Sequence, residues 1–367
     1  MGRTTILPTD PAAIKAWSAK VAIDSRKKSF WDKMTGGEDA ALPVVSKTEL
    51  ESGPGDEVTT TLIAKLRGQP IQGDEKGLGR EQKLSHHTHK MRIDKHRQLV
   101  NVGDVMAQKR VKHNIAAQCR ARLSDYIAEV VDEQCHMTAS GARGVGDEIT
   151  HYPVGFTGFP NPLMAPDAAH WQVGDGKTKA TLTQADTLGT AVIDRAIVRA
   201  KKMFNVEGRG SRMEPVNVDG EKSFIFLTGA EGMYDLRREV GDSGWLTLEK
   251  AKAASVGAKS PIFMAGDAFY NGVLITEHET VVKFNDYGSG ANVNAIRNLF
   301  LGAHGVAVAY GTKSQKGNVR FELTESDLDH GEEQVVIVRM IAGFDKTRYN
   351  GMDFGIQTVD TAFTNIV

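Results

Sequence analysis

Residues 57–103 read EVTTTLIAKLRGQPIQGDEKGLGREQKLSHHTHKMRIDKHRQLVNVG, and this stretch decides how the chain is organised. Its first part, residues 58–66, is rich in β-branched side chains and partly alternates apolar with polar positions, which is typical of a strand. A second, more polar strand-like segment runs from about 90 to 102. Glycines and a proline at close intervals separate the two segments and are turn signals. The stretch therefore predicts an extended hairpin.

This hairpin is strongly charged and poor in apolar side chains. Between positions 65 and 97 it carries nine Lys or Arg, four Asp or Glu and four His residues. A two-stranded hairpin with so little apolar surface is not stable alone in water. We expect it to project from the body of the protein and to become ordered against a neighbouring molecule.

Upstream of the hairpin, residues 1–34 predict an amphipathic arm. Asp10-Pro11 is a suitable helix start, with Asp as N-cap and Pro at the first helical position. Ala13, Ile14, Trp17 and Val21 then recur at helical spacing. A basic stretch at 26–28 is followed by three more large apolar residues, Phe30, Trp31 and Met34. An amphipathic helix buries such a stripe on another element, so the arm needs a partner surface. Residues 35–56, rich in Gly, Ser, Pro and acidic residues, are predicted to be a linker.

Downstream of the hairpin, a long helix is predicted over 104–138. Asp104 is a suitable N-cap. Apolar residues of one face recur at intervals of three or four: Ile115, Cys119, Leu123, Ile127, Val130 and Val131. At ~1.5 Å per residue, roughly 35 residues give a rod of about 52 Å. We expect a helix of this length to be the central element along which the other elements pack.

The remainder predicts a mixed α+β fold. Residues 141–180 are irregular and contain four prolines, and an apolar stripe predicts a helix over 181–206. Further predicted elements are a buried strand at 224–228, short helices at 231–240 and 246–255, strand pairs within 262–284 and 335–359, and a helix followed by a strand over 292–310. Asn350-Gly351 predicts a type I′ turn.

Composition excludes several classes of protein. The chain has 367 residues, of which 40% are apolar and 25% charged, so it is globular rather than disordered. Forty-five basic and 46 acidic residues leave a net charge of −1, which argues against a dedicated nucleic-acid binder. No apolar run is long enough to span a membrane, and the N-terminus MGRTTILPTD lacks a signal-peptide core. Position 6 is Ile, which argues against myristoylation of Gly2. We expect a soluble intracellular protein.

Motifs that carry chemistry are incomplete. Cys119 and Cys135 lie in one predicted helix about 24 Å apart, beyond disulfide reach. The string GKT at 176–178 lacks the earlier glycine of a phosphate-binding loop, since position 171 is Trp. His87 and His89 share one strand face and could hold two metal positions, but no third ligand has a recognisable spacing. The string GDSG at 241–244 lacks the full nucleophile-elbow pattern. The sequence predicts no catalytic, cofactor-binding or metal-binding residue.

The order of arm, charged hairpin, long helix and α+β remainder resembles the major capsid proteins of tailed bacteriophages, which share the Hong Kong 97 fold. Within 74–110, the strings DEKGLGREQKL, MRIDKHR and QKR are similar to the E-loop and spine-helix entry of one branch, typified by the coliphage N-four major capsid protein. The string GFDKTRYNGMDFG at 343–355 is similar to that branch's closing hairpin, and residues 299–311 resemble its apolar segment ending in Tyr-Gly. The resemblance covers about 57–361.

This resemblance implies an α+β, Hong Kong 97-like capsid fold with an N-arm, an E-loop hairpin, a long spine helix, and peripheral and axial domains. The expected division is 1–56 for the arm and linker, 57–103 for the E-loop, 104–222 for the spine helix and the first part of the peripheral domain, 223–334 for the axial domain, and 335–367 for closing strands.

It also implies a structural protein rather than an enzyme, without a cofactor. The expected function is self-assembly into the hexamers and pentamers of an icosahedral phage head that encloses double-stranded DNA without sequence-specific binding. The chain would be assembled in the host cytoplasm and reside in the virion, with scaffolding, portal and decoration proteins as further partners and no membrane. The residues expected at intersubunit contacts are Lys65, Arg67, Arg80, Glu81, Arg92 and Arg97 in and next to the hairpin, and Trp17, Phe30 and Trp31 in the arm.

Two alternatives stay open at the level of sequence. An encapsulin-like nanocompartment shell shares the fold and would enclose an enzyme cargo instead of a genome. An α+β metabolic enzyme built on residues 222–367 would be a small oligomer with a defined cofactor, which size-exclusion chromatography would distinguish from a shell.

Overall fold

The computed structural model describes residues 29–51, 54–63, 70–73, 76–81, 83–84, 86–104, 110, 115–203, 213–218, 221–239, 268–311, 320–328 and 332–365. These ranges contain eighteen strands, three α-helices and a 3-10 helix at Trp31–Met34. The predicted α+β class is confirmed. The predicted helix at 246–255 lies outside the described residues.

The strands are β1 (Thr35–Gly36), β2 (Val44–Lys47), β3 (Glu57–Ile63), β4 (His86–Arg92), β5 (Asp94–Asp104), β6 (Trp171–Val173), β7 (Val216–Val218), β8 (Glu221–Thr228), β9 (Ala268–Tyr270), β10 (Val273–Glu277), β11 (Val282–Tyr287), β12 (Val293–Leu301), β13 (Val306–Gly311), β14 (Phe321–Leu328), β15 (Glu333–Lys346), β16 (Arg348–Tyr349), β17 (Met352–Asp353) and β18 (Ile356–Ala362). The α-helices are α1 (Ile115–Ser140), α2 (Thr190–Lys202) and α3 (Ala230–Arg238).

A six-stranded sheet is built around the 14-residue strand β15. Strands β13 and β14 pair with successive parts of one edge of β15, and β5 pairs with the other edge, all antiparallel. Strand β2 lies parallel to β13, and all four of its residues are buried. The prediction of a linker over 35–56 is therefore wrong at Val44–Lys47, because four residues are too few to show a periodic pattern.

An eight-stranded sheet forms the second layer, in the order β6-β18-β12-β8-β10-β9, with β11 and β7 paired to β12 and β8. Strand β8 confirms the strand predicted at 224–228, and its residues 224–227 are buried on both faces. Helix α3 confirms the helix predicted at 231–240. Sequential segments alternate between the sheets: β13 and β14, which fall in the predicted unit 223–334, belong to the six-stranded sheet.

Helix α1 packs between these two sheets. It contacts β5 and β15 of the first sheet and β11 and β12 of the second. The predicted apolar face is confirmed from Leu123 onward, and the last turns, residues 133–140, are buried on every side. Ile127 of the helix shares one core with Val338 of β15 and Leu299 of β12. The helix therefore joins the two layers into one packed unit.

The predicted start of this helix is wrong. Asp104 is the last residue of β5 and is paired with Glu333 of β15. The segment predicted as one strand over 90–102 is also divided, since β4 ends at Arg92 and β5 begins at Asp94. The backbone N–H of Ile93, between them, donates to the carbonyl of Asp56 at 2.9 Å. Strand β5 continues because β15 offers it a hydrogen-bonding edge that the local sequence does not reveal.

The helix predicted over 181–206 begins later, at Thr190. The Asp186 carboxylate accepts hydrogen bonds from the N–H and Oγ of Thr183, both at 2.7 Å, which holds the preceding residues in turns. The helix starts where Glu239 accepts from the N–H and Oγ of Thr190, both at 2.9 Å. A carboxylate 49 residues away in sequence thus replaces a local cap.

The helix predicted in the first half of 292–310 is also wrong, because this segment forms β12 and β13. The last seven residues of β12 are buried on both faces, so its apolar run lacks the alternation of a half-exposed strand. A turn at 302–305 separates the strands, with His304 at φ 58°. The turn predicted at Asn350-Gly351 is confirmed, with φ of 53° and 73° between β16 and β17.

A buried ion pair joins the end of α1 to the second sheet. The Arg297 guanidinium on β12 donates twice to Asp360 of β18, both at 2.7 Å, and also to the carbonyl of Ser140 at 3.1 Å. The Tyr287 hydroxyl and the Trp171 indole each donate to the same carboxylate at 2.5 Å. Burial of Arg297 lowers its pKa, but the negative charge and hydrogen bonds of Asp360 outweigh this effect and raise the pKa overall. Burial raises the pKa of Tyr287. This network satisfies a helix C-terminal carbonyl that would otherwise be buried alone.

Candidate subunit-contact surface

The hairpin predicted from the sequence is formed by β3 and β4. Seven residue pairs join the strands, from Glu57 opposite Arg92 to Ile63 opposite His86. The described residues between the strands are exposed, and within the strands only Val58 and Met91 are fully buried. Most of the surface of this hairpin is therefore left uncovered by the described part of its own chain.

The root of the hairpin, defined here by Val58 and Met91, is packed on the six-stranded sheet. These two side chains are opposite each other and form a small apolar cluster with Leu50, Ala307 and Ala309. The small alanine side chains of β13 let the hairpin approach the sheet closely. Apolar packing therefore attaches the hairpin at one end only.

Asn161 adds a polar attachment at the same place. Its amide accepts from the N–H of Arg92 at 2.9 Å and donates to the carbonyls of Arg92 and Phe344, at 2.8 and 3.1 Å. A Cβ added to Gly343 would lie 2.1 Å from the Arg92 carbonyl oxygen. Only glycine at 343 lets the end of β4 come this close to β15.

A histidine and a carboxyl group form the third attachment. Nε2 of His89 lies 3.4 Å from Oδ2 of Asp345, and both side chains are mostly buried. Burial raises the pKa of Asp345 to about 7 and lowers that of His89. The ring of Tyr349 meets the His89 ring edge-on, with centroids 6.1 Å apart. A cavity of about 330 Å³ opens beside this contact, between β3–β4 and the closing hairpin β16–β17.

The outer part of the hairpin exposes large apolar side chains. Leu78 is 90% exposed and Ile63 60%, and Ile71 and Leu84 are also exposed. Exposed apolar side chains grouped on one projecting element are typical of an interaction surface.

The charged residues predicted for intersubunit contacts have different placements. Arg80, Glu81, Arg92 and Arg97 are exposed. The Glu81 carboxylate accepts from the N–H of Gly79 at 2.8 Å, within the turn region of the hairpin. Lys65, Arg67 and Trp17 lie outside the described residues. Thus Arg80, Glu81 and Arg92 lie on the hairpin element, while Arg97 is on β5 of the sheet.

Sequence reasoning missed a basic residue next to Arg97. In the register of β5 and β15, Arg97 is directly opposite Arg339. Within the described residues neither guanidinium forms an ion pair or side-chain hydrogen bond. Like charges directly opposite each other destabilise a sheet, and the nearest carboxylate in this cross-strand row is Glu322 of β14, which is directly opposite Arg339 on its other side. No signal in the local sequence links two residues so far apart along the chain.

The described end of the arm packs inside its own subunit. Trp31 is 1% exposed and belongs to the main core, and Phe30 packs against that core. Asp132 of α1 accepts from the backbone N–H groups of Phe30 and Trp31, at 2.9 and 3.2 Å. Phe30 and Trp31, which were expected at contacts between subunits, thus pack against their own subunit, because an apolar stripe does not specify which subunit covers it.

Three further features of the described residues are their metal-ligand groupings, the character of their helices and their thiols. Among these residues, no three His, Cys, Asp or Glu side chains are grouped so that they could hold a metal ion. None of the described helices is long and apolar enough to cross a membrane. Cys119 and Cys135 are both free thiols. Burial raises the pKa of Cys135 well above its ordinary value, so this thiol is unreactive.

Comparison with known proteins agrees with this architecture. The family model described as "Phage capsid protein" matches residues 5–365. The chain is 24% identical, over 94% of each chain, to the major capsid protein of Pseudomonas phage KPP25.

Solved structures give the same result. The chain is similar to the capsid of Ralstonia phage GP4, with 38% identity, complete coverage of both chains and a TM-score of 0.84. It is similar in fold to the capsid of cyanophage Pam1, with 18% identity, a TM-score of 0.72 and coverage of 92% and 93% of the two chains. The head structure of Helicobacter pylori bacteriophage KHP40 matches with 13% identity, a TM-score of 0.64 and coverage of 92% and 91%.

Proposed function

This chain belongs to the phage capsid protein family, and from that membership we propose that it self-assembles into the hexamers and pentamers of an icosahedral head enclosing double-stranded DNA. It is a structural protein of the virion capsid, not an enzyme, and its fold is the Hong Kong 97-like fold of tailed-phage capsids. We further propose that the head is assembled in the host cytoplasm.

The observation that carries this proposal is the hairpin β3–β4, held at its root and exposed along its length. A subunit of a closed shell buries area against several neighbours at once, so it needs elements that extend beyond its own core. Leu78 and the other exposed apolar side chains of the hairpin supply such area. In a monomeric protein this element would remain exposed to water.

Charged contacts complement the apolar ones in this proposal. Arg80, Glu81, Arg92 and Arg97, with Lys65 and Arg67, form salt bridges between subunits, and Arg339 acts together with Arg97. Polar contacts of this kind set the register between partners and add less to raw affinity. The arm, with Trp17, covers a further part of a neighbouring subunit, while Phe30 and Trp31 hold its root.

We assign the two proposed domains to the two layers. The peripheral domain consists of α1, the spine helix, and the six-stranded sheet; the axial domain is the eight-stranded sheet with its helices α2 and α3. The hairpin β3–β4 is the E-loop. Because the sheets interleave along the chain, each domain takes strands from both sides of the division at 334.

The proposed contact with DNA is non-specific. A net charge of −1 leaves no general excess of basic residues to bind phosphate groups, so packaged DNA is enclosed without being held in place. Portal, scaffolding and decoration proteins are the further partners proposed.

Expression of the full chain, alone and with its neighbouring gene products, followed by negative-stain microscopy, tests the proposal. We expect closed shells or their capsomers, and nuclease-protected DNA in particles purified from infected cells. Particles that enclose a protein cargo and no DNA would instead support a nanocompartment shell. A small, uniform oligomer under all these conditions would contradict assembly into a head.

A further inference from the structure

Four aromatic rings close on one another where the arm joins α1. The Phe30 ring lies 4.5 Å from that of His278, between centroids, and the His278 ring is stacked on His136 at 5.5 Å with planes 13° apart. His136 in turn meets the edge of Trp31 at 6.0 Å, and Trp31 meets Phe30 at 6.1 Å. We call this set the ring cluster. Two of its rings come from the arm, one from α1 and one from the turn after β10.

The two histidines differ in their polar contacts. His136 is 0% exposed, and neither of its ring nitrogens has a hydrogen-bond partner in the described structure. His278 is 9% exposed, and its Nδ1 is 3.0 Å from the N–H of Thr280 and 2.9 Å from the carbonyl of the same residue. A protonated Nδ1 of His278 can therefore donate to the carbonyl of Thr280. A proton on either ring nitrogen of His136 has no acceptor in the described structure.

The same place carries the hydrogen bonds that hold the arm. Asp132 accepts from the Ser29 hydroxyl at 2.7 Å and from the N–H groups of Phe30 and Trp31. Asp132 precedes His136 by one helical turn, so both residues act on the same short stretch of the arm. The ring cluster and Asp132 together form the attachment of residues 29–34.

We propose that the ring cluster is an acid-sensitive anchor for the arm, in which proton uptake by His136 and His278 releases residues 29–34 from α1. The packing itself supplies the sensitivity. Two charged imidazolium rings stacked 5.5 Å apart would repel each other, and the one on His136 would be a buried, unpaired charge.

The direction of the pH dependence follows from the two states. Burial lowers the pKa of His136 well below its ordinary value and also lowers that of His278, so the docked arm disfavours the charged form of both rings. Release exposes both rings, which then take up protons below about pH 6.5. Docking is therefore complete above pH 6.5 and is lost as the pH falls below it.

Acidic groups of every element packed around the cluster face this region. Asp32 lies on the arm, Glu129, Asp132 and Glu133 on α1, Glu148 on the loop after it, and Glu277 and Glu279 beside His278. The negative charge of Asp132 and Glu279 opposes the lowering of the His278 pKa, but burial is the larger effect. Burial also raises the pKa of Asp132, so proton uptake there favours docking and limits the release at lower pH.

Hydrogen exchange of the full-length chain tests the proposal. The amides of Phe30 and Trp31 are the reporters, because Asp132 protects both. After correction for intrinsic exchange, we expect their protection to fall ~10-fold between pH 7.5 and 5.5 if one histidine takes up a proton, and up to ~100-fold if both do. Unchanged protection between pH 7.5 and 5.5 would overturn the proposal.

The variant H136F removes the titrating group while keeping a ring in the stack. We expect it to lose about tenfold less protection than the wild type over the same interval. H86F, on the exposed face of β4, is the matched control and should behave like the wild type. If H136F does not fold, H278Q carries the same expectation. A loss of protection in the folded variant equal to that of the wild type would also refute the anchor.

Discussion

Arg297 and Asp360 join a helix end to a sheet through a single pair of side chains. Both are buried, and the guanidinium is shared between the carboxylate and the last carbonyl of α1. A buried ion pair is not by itself a large source of stability, because both charges lose their hydration. Removing one partner is different, since the remaining charge is left buried and unpaired.

The substitution R297M is therefore expected to lower the free energy of unfolding by about 3–5 kcal/mol. Denaturation of the unassembled subunit measures this value. The matched control is R195M, which breaks the exposed pair between Arg195 and Asp175 at 3.2 Å and should cost less than ~1 kcal/mol. Equal losses in the two variants would contradict the role assigned to Arg297.

Gly343 is a second residue on which the local geometry depends. The substitution G343A places a methyl group 2.1 Å from the Arg92 carbonyl oxygen, so the root of the hairpin must move away from β15. We expect a loss of about 1–3 kcal/mol in unfolding free energy, together with faster hydrogen exchange in β4. G37A, which adds its Cβ in open space, is the control. A G343A variant as stable as G37A would show that the close approach is unimportant.

At the scale of elements, the sequence was most informative where the pattern is local. The strand β3, the apolar face of α1, helix α3 and the Asn350-Gly351 turn all follow from neighbouring residues. Elements whose ends depend on distant partners were predicted poorly. Asp104 stays in a strand because β15 pairs with it, and α2 begins where Glu239 caps it.

The candidate contact surface likewise has one part that the local sequence predicts and one part that depends on distant residues. A charged hairpin with little apolar content was visible in the sequence as an element that its own chain does not cover. The attachments of its root were not visible, because Asn161 comes from one segment far along the chain, and Gly343 and Asp345 come from another. Nor was Arg339, which only the strand register places opposite Arg97.

Charge reversal tests the contacts at the scale of these elements. The double variant R92E/R97E should assemble with lower particle yield and lower thermal stability, because both exposed side chains would repel carboxylates of a neighbouring subunit. The unfolding free energy of the unassembled variant should stay within about 1 kcal/mol of the wild type, since neither side chain is buried, and R97E, opposite Arg339, offsets R92E, opposite Glu57. K222E/R238E, on the eight-stranded sheet and α3, is the matched control for net charge. Unchanged yield and stability of R92E/R97E particles would remove these residues from the contact surface.

At the scale of the whole molecule, the two layers share one hydrophobic core. Residues of β8 and β12 in one sheet and of β13 and β15 in the other belong to a single cluster around α1. Neither sheet can therefore separate without exposing apolar surface of the other layer and of the helix between them.

We accordingly expect the unassembled subunit to unfold in one cooperative transition. Scanning calorimetry should give a calorimetric enthalpy equal to the van't Hoff enthalpy. Two resolved transitions would show that the layers are independent despite their common core.

The position of β2 has a mechanical consequence. This strand lies between β1, which directly follows the arm, and β13, and it runs parallel to both. A force applied along the axis of this buried strand would load its cross-strand hydrogen bonds in shear, side by side. Such a joint gives way only when those bonds rupture together, whereas a strand peeled from one end would unzip bond by bond.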